Sequence, residues 1–159
     1  MLEFAGGCPV GAFVEVGVWR GGSAWHLMNL AQAQGRRFYA YDTFQGIPFQ
    51  IPGLDTHPVG DFKDVVEEEV RSLLPEATVI AGVFPRSAVE MGSIAFAHLD
   101  CDAYKSVKDS LIYLAPRMAR GGIIWFDDAP CLAGAKAAAE EFCGKRLKTS
   151  YNGKYFSVF

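Results

Sequence analysis

Four aspartates carry the chemistry this sequence can perform. Asp100 and Asp102 sit in "LDCDAYKS", after the apolar run Ile94-Ala95-Phe96-Ala97, and Asp127 and Asp128 close "GGIIWFDD". Both stretches read as buried strands that turn polar only at their carboxyl ends. Neighbouring parallel strands lie about 4.8 Å apart, so carboxylates from adjacent strand ends can meet at one point. Three such charges repel and raise one another's pKa values unless a cation compensates. A hard divalent cation with oxygen ligands answers that need, and magnesium keeps positions open for substrate. The plain alternative is that Asp127 or Asp128 caps a helix entering at Ala129-Pro130.

A second constellation lies near the start. "EVGVWRGGS" (15–23) joins a β-branched run to a helical pattern. Gly17 would let a ligand approach the backbone, and Gly21-Gly22 would make the turn into the helix. The helix start then offers free N–H groups to an anionic group. The spacing is neither GxGxxG nor a P-loop, and a ligand-free tight connection remains open. Asp42 ends the next strand, where an acid commonly accepts hydrogen bonds from ribose hydroxyls; capping the following loop is its alternative role. Gly82-Val83-Phe84 after a third strand could wall an adenine pocket, or be a plain turn. Trp19 and Arg20 could border the same ligand, with Arg20 pairing a carboxylate, or be solvent-exposed.

The elements that must position these residues alternate. Strands are expected at 12–18, 37–42, 77–82, 93–100 and 121–128. Helices are expected at 23–34 (Ser23 as N-cap, Trp25 on the apolar side, Gly35 as stop), 64–74, 106–118 and 134–142. Asn152-Gly153 marks a hairpin over 146–159. This order implies right-handed βαβ units, a mostly parallel sheet with helices on both faces, and an antiparallel last strand. Ligands of such sheets bind outside the carboxyl ends of the strands. Residues 43–62 form a Gly- and Pro-rich loop without periodicity, of the kind that serves as a lid.

With 159 residues the chain reads as one domain, 1–159. Its apolar fraction of 50% supports a core, and its net charge of −3 gives no support to nucleic-acid or anionic-membrane binding. No apolar stretch is long enough for a membrane span, and "MLEFAGGCPVGAF" has no secretory pattern. Cys8, Cys101, Cys131 and Cys143 lack a CxxC pair, so they read as reduced thiols of a cytoplasmic protein.

Together, "FVEVGVWRGGS", "YDTFQGIP", "GDF", "LDCDAYKS" and "GGIIWFDD" resemble the TylF/macrocin O-methyltransferase family, from about residue 12 to 159. The resemblance implies a class I methyltransferase Rossmann-like sheet that takes S-adenosylmethionine and methylates sugar hydroxyls of natural products. It implies cofactor contacts from Glu15, Gly17, Trp19, Arg20, Gly21, Ser23, Asp42, Thr43, Gly82, Phe84 and Asp100. It implies a magnesium site of Asp100, Asp127 and Asp128, with Asp102 as general base. The acceptor would be a small molecule with a sugar or catechol vicinal diol, since two adjacent oxygens chelate a metal best. Family members carry a substantial region ahead of the first strand, and only about a dozen residues precede it here. The 43–62 loop or a second subunit of a homodimer would then have to close the site. A shortened, non-catalytic S-adenosylmethionine-binding or regulatory module is the competing expectation; a nicotinamide dehydrogenase fails on glycine spacing.

Of the remaining candidates, His26 and His98 read as structural and His57, in the long loop, as a residue that could face substrate. Cys101 reads as packing. Tyr104 could line an acceptor pocket or pack at the sheet edge.

Overall fold

In the computed structural model, which describes residues 1–159, the strand Ala12–Val16 (β1) is buried along its whole length. So is Ile94–Leu99 (β4). Two runs with no exposed residue on either face belong at the centre of a sheet covered on both sides. Around them, Phe38–Asp42 (β2), Thr78–Ala81 (β3), Met118–Phe126 (β5), Leu147–Thr149 (β6) and Tyr155–Val158 (β7) complete seven strands in the order β3-β2-β1-β4-β5-β7-β6. The first five are parallel, and β7 runs antiparallel between β5 and β6. The chain winds outward one way through β2 and β3, then returns to place β4 on the other side of β1. That reversal between β1 and β4 is the switch point at which such sheets bind ligands.

Register aligns the strand ends. Val16 pairs with both Tyr41 and Leu99, and Leu99 pairs with Phe126. The residues that follow, Gly17, Asp42, Asp100 and Asp127, therefore leave the sheet along one edge.

Leu2–Gly6 (α1) and Gly22–Ala33 (α2) cover one face, burying Ala5, Leu27 and Met28 against Phe13, Phe38 and Phe96. Tyr104–Leu114 (α4) and Ala133–Cys143 (α5) cover the other, with Val107, Leu111 and Ala138 against Val14, Ala97 and Ile124. Each fully buried Leu contributes about 1.5–3 kcal/mol. The short helix Glu67–Leu73 (α3) holds the outer end through Val70.

Several local expectations change. Gly21, in the left-handed conformation at φ 82°, is the N-cap of α2, in place of Ser23. Trp25 is 44% exposed, because Ala24, Leu27, Met28 and Ala31 define the buried stripe. The third helix is seven residues, 67–73, instead of 64–74, and α4 stops at Leu114 because Pro116 has no N–H to continue it. The hairpin joins its strands through five residues, 150–154, closed by Ser150 and Lys154 backbone bonding. Only Gly153 of the Asn-Gly pair has positive φ, so the two-residue turn does not form. The helix α1 adds to the elements expected from the pattern.

The 43–62 loop is built as a closed lobe. Ile47 N–H donates to Asp61 O at 2.8 Å and Gly60 N–H to Ile47 O at 2.9 Å, pinching its neck. Asp55, only 9% exposed, pins its tip: Oδ2 accepts from Ile51 N–H at 2.7 Å and Oδ1 from Tyr104 N–H at 2.8 Å, at the start of α4. Gly134 of α5 makes room for it, since a Cβ there would stand 1.9 Å from Asp55 Oδ1. No helix of the structure is long and apolar enough to cross a membrane.

Candidate active site

A cleft of about 300 Å³ opens at the carboxyl edge of β1, β2 and β4, under the 43–62 lobe. Of the residues singled out in the sequence, Gly17, Trp19, Asp42, Thr43, Gly82 and Phe84 line it, as do Asp100, Asp102 and Asp128. Glu15, Arg20, Gly21, Ser23 and Asp127 do not. Its floor is apolar where Val16, Tyr41, Val83 and Phe84 meet, with Tyr41 and Phe84 edge-to-face at 4.7 Å.

Gly17 is required for a reason different from the one expected. At φ 90° it passes so close to β4 that a Cβ would stand 1.9 Å from the Asp100 carbonyl oxygen. The glycine lets β1 and β4 end side by side, which is what sets Asp100 beside the first turn. Asp42 is anchored at the same place: Oδ2 accepts from Trp19 N–H and Oδ1 from Phe44 N–H, both at 2.8 Å. It does cap its loop, yet each oxygen keeps further acceptor capacity for a ligand hydroxyl. Trp19 and Asp102 both hold positive φ, 42° and 54°, conformations that non-glycine residues adopt where surrounding structure enforces them.

Glu15 belongs beneath the cleft. It is fully buried, and its Oε1 accepts from Ser23 Oγ at 2.5 Å and faces His98 Nδ1 at 3.0 Å. His98 Nε2 points on toward Asp127 Oδ1 at 3.6 Å. Lys154, from the hairpin, donates to Asp127 Oδ2 at 2.9 Å and to its backbone oxygen at 2.8 Å. A buried polar chain thus runs from the first turn to the fifth strand. Burial alone would lower the His98 pKa, but Glu15 and Asp127 outweigh it and keep the ring protonated. His98 and Lys154 together hold Asp127 down to about 2. Lys154 was not singled out in the sequence, and nothing local marks it, because its partner lies 27 residues away. Arg20 does pair a carboxylate, Asp64 at 2.5 Å, but on the exposed rim. The Tyr104 hydroxyl turns away to Glu141 and Lys108, between α4 and α5. Cys101 lines the cleft, and burial raises its thiol pKa, so it stays protonated and inert. The helix that follows Asp127-Asp128 starts only at Ala133, and the backbone oxygen of Asp128, rather than a side chain, accepts from Cys131 and Leu132.

Carboxylate oxygens of Asp100, Asp127 and Asp128 all lie within 4.8 Å of one another. Burial, then the Asp128 side chain beside them, push both Asp100 and Asp102 well above the ordinary carboxylate range. Asp100 also feels His98, which acts in the opposite direction. Burial and the crowding of carboxylates thus disfavour the ionised forms of both acids. A hard, oxygen-preferring divalent cation fits this donor set.

A family model described as Macrocin-O-methyltransferase (TylF) matches residues 5–150. Among curated proteins, the chain is 33% identical to the 8-demethyl-8-(2,3-dimethoxy-alpha-L-rhamnosyl)-tetracenomycin-C 4'-O-methyltransferase of Streptomyces olivaceus, with 78% of this chain and 54% of that protein covered. It is 32% identical to the demethyldecarbamoylnovobiocin O-methyltransferase of Streptomyces niveus, with 85% and 59% covered. The chain thus spans little more than half the length of these relatives. Among solved structures, the O-methyltransferase NovP superposes with a TM-score of 0.82 at 26% identity, over 99% of this chain and 78% of that one. The calicheamicin methyltransferase CalS11 superposes at 0.79 with 19% identity, over 99% and 75%, a likeness of fold. The sheet is that of class I methyltransferases, as expected.

Proposed function

The chain belongs to the TylF macrocin O-methyltransferase family, and on that premise we propose that it moves the methyl group of S-adenosylmethionine to a hydroxyl of a small sugar-like or other vicinal-diol acceptor, with magnesium bound. The observation that carries this reading is the meeting of Asp100, Asp102 and Asp128 in one cleft with Asp42 and the apolar floor at 83–84. The first relative named above acts, by its name, on a rhamnosyl group, which supports a sugar-like acceptor.

S-adenosylmethionine, when bound, supplies a methyl group made electrophilic by its sulfonium. Asp42 would accept hydrogen bonds from its ribose hydroxyls, and the apolar floor at Phe84 and Tyr41 would take its adenine. Asp100, Asp127 and Asp128 would hold magnesium, a Lewis acid for the acceptor oxygen. Asp102 takes the proton that this oxygen loses. The 43–62 lobe, pinned by Asp55, keeps water from the cleft and holds the reactants aligned.

The test is transfer of labelled methyl from S-adenosylmethionine to a panel of sugar diols and catechols, with magnesium and with a chelator. Transfer that requires magnesium is expected. Transfer indifferent to the chelator removes the metal from the mechanism. The competing reading, a binding module without turnover, draws on Asp127 being already neutralised by His98 and Lys154. Tight cofactor binding with no transfer to any acceptor would favour it.

A further inference from the structure

Asp55 is a loop aspartate with almost no access to solvent, and its two oxygens bond backbone N–H groups of different segments. One, Ile51, belongs to the lobe itself. The other, Tyr104, is the first residue of α4 and lies 49 positions away. A helix start presents free N–H groups that need acceptors. The N-cap of α4 is Ala103, whose side chain offers none. Asp55 supplies an acceptor from outside the helix. The first turn of α5 is shaped to the same carboxylate. Gly134 interrupts a stretch rich in alanine, the residue helices favour most. A Cβ there would meet Asp55 Oδ1 and would stand 3.1 Å from the Tyr104 nitrogen. The lobe, α4 and α5 therefore meet at one buried carboxylate.

Asp102 stands next to that junction. It lies two residues before Tyr104, at φ 54°, in a left-handed conformation that surrounding contacts must enforce. Its turn is closed by Ala103 N–H, which donates to Cys101 O at 2.6 Å. Asp55, Thr56 and His57 wall a small recess together with Asp102 and Ala103, so the tip of the lobe lies against this turn. Other lobe residues, Ile47, Pro48 and Phe62, line the main cleft. The fastening that sets the roof of the cleft is thus also attached to the turn beneath it.

We propose that Asp55 is a positioning residue for Asp102. By fastening the lobe to α4 it holds the left-handed turn that presents Asp102 to the cleft, so roofing the site and placing its proton acceptor are one event. The proposal rests on the reading of Asp102 as the proton acceptor of methyl transfer. Without Asp55, the Tyr104 N–H loses its acceptor and the turn at 102 is free to relax to an ordinary φ. That relaxation swings the carboxylate out of line with the acceptor oxygen. An undocked lobe then leaves the cleft open to water and without its base.

The experiment uses the full chain with S-adenosylmethionine, magnesium and whichever sugar diol or catechol of the panel wild type methylates fastest. Asp55→Ala is expected to lower kcat about 10²-fold, the usual cost of a small misplacement. In an Asp102→Asn background the same change should lower it less than about threefold, because the group it positions is already gone. Gly134→Ala keeps the carboxylate but takes its seat, and should lower kcat as Asp55→Ala does. Amide hydrogen exchange of the cofactor-free protein gives a readout independent of turnover. Residues 103–107 should exchange at least about tenfold faster in both Asp55→Ala and Gly134→Ala. β1 and β4 should keep wild-type protection, which shows that the variants are folded. An equal fold-loss of kcat from Asp55→Ala in both backgrounds overturns the proposal, as does unchanged exchange at 103–107. Wild type that methylates no acceptor of the panel, with exchange responding as expected, overturns the methyltransferase reading, and the positioning role falls with it.

Discussion

Asp128→Asn is expected to make the metal-free protein more stable and the enzyme all but inactive. The two effects share one cause. Asp128 lines the cleft with Asp100 and Asp102 and, after burial, is the main reason both resist ionisation. Removing its charge relieves that repulsion, so the melting temperature without metal should rise by a few degrees. The same change removes one of the three converging carboxylates proposed to hold magnesium. Since loss of even an outer partner typically costs about 10–100-fold in metal affinity or activity, loss of a direct ligand should cost more than about 100-fold. Magnesium, which should raise the melting temperature of wild type by binding only the folded state, should then have no effect on the variant. Asp102→Asn separates the roles: the magnesium shift persists while turnover falls about 10²–10⁴-fold. Thermal melts with and without magnesium, alongside methyl transfer, check each of these outcomes. A variant Asp128→Asn that is less stable without metal, or still shifted by magnesium, would contradict the cluster as a cation site.

The second large effect belongs to a residue with no chemistry. Gly17→Ala should lose both cofactor binding and much of the stability. The left-handed conformation at φ 90° costs alanine about 1–2 kcal/mol. Its Cβ would also stand 1.9 Å from the Asp100 carbonyl oxygen, and backbone on both sides must give way. β1 and β4 are neighbours in the interior of the sheet, so parting them loosens its centre; a total loss of roughly 3 kcal/mol or more is expected. Any fraction that folds has Asp100 displaced by about 1 Å, enough to cost about 10²-fold in turnover. Denaturant melts and cofactor titration measure the two losses. A stability within about 0.5 kcal/mol of wild type would show that the close passage of the strands is not required.

Gly17 also marks the limit of what a linear chain reveals. The strand ends were legible, because an apolar run that turns acidic at its last residue is what a buried strand looks like where it reaches a polar edge. The alignment of 17, 42, 100 and 127 then follows from a parallel sheet. What makes Gly17 necessary is a carbonyl 83 positions away, and no local pattern reveals that. Serine is a common cap, which pointed to Ser23, yet the left-handed Gly21 fills that place and frees the hydroxyl for Glu15. Glu15, expected as a ligand contact, turns inward to His98. Trp25 has the size of a buried-stripe residue, but small alanines pack there instead. Asp55 and Lys154 drew no attention, since a loop aspartate and a hairpin lysine are usually solvated. Only the folded chain sets one at the start of α4 and the other on Asp127.

Isothermal calorimetry of the folded wild-type chain with S-adenosylhomocysteine tests most directly whether the cleft at the β1–β4 switch point is an S-adenosylmethionine site. Saturable binding at one site per chain is expected, with or without magnesium. It should weaken at least about tenfold in Asp42→Ala, since hydrogen bonds to a charged acceptor contribute about 1.5–3 kcal/mol each. Folded protein that gives no binding heat at any magnesium concentration, or Asp42→Ala that binds as wild type does, would contradict it.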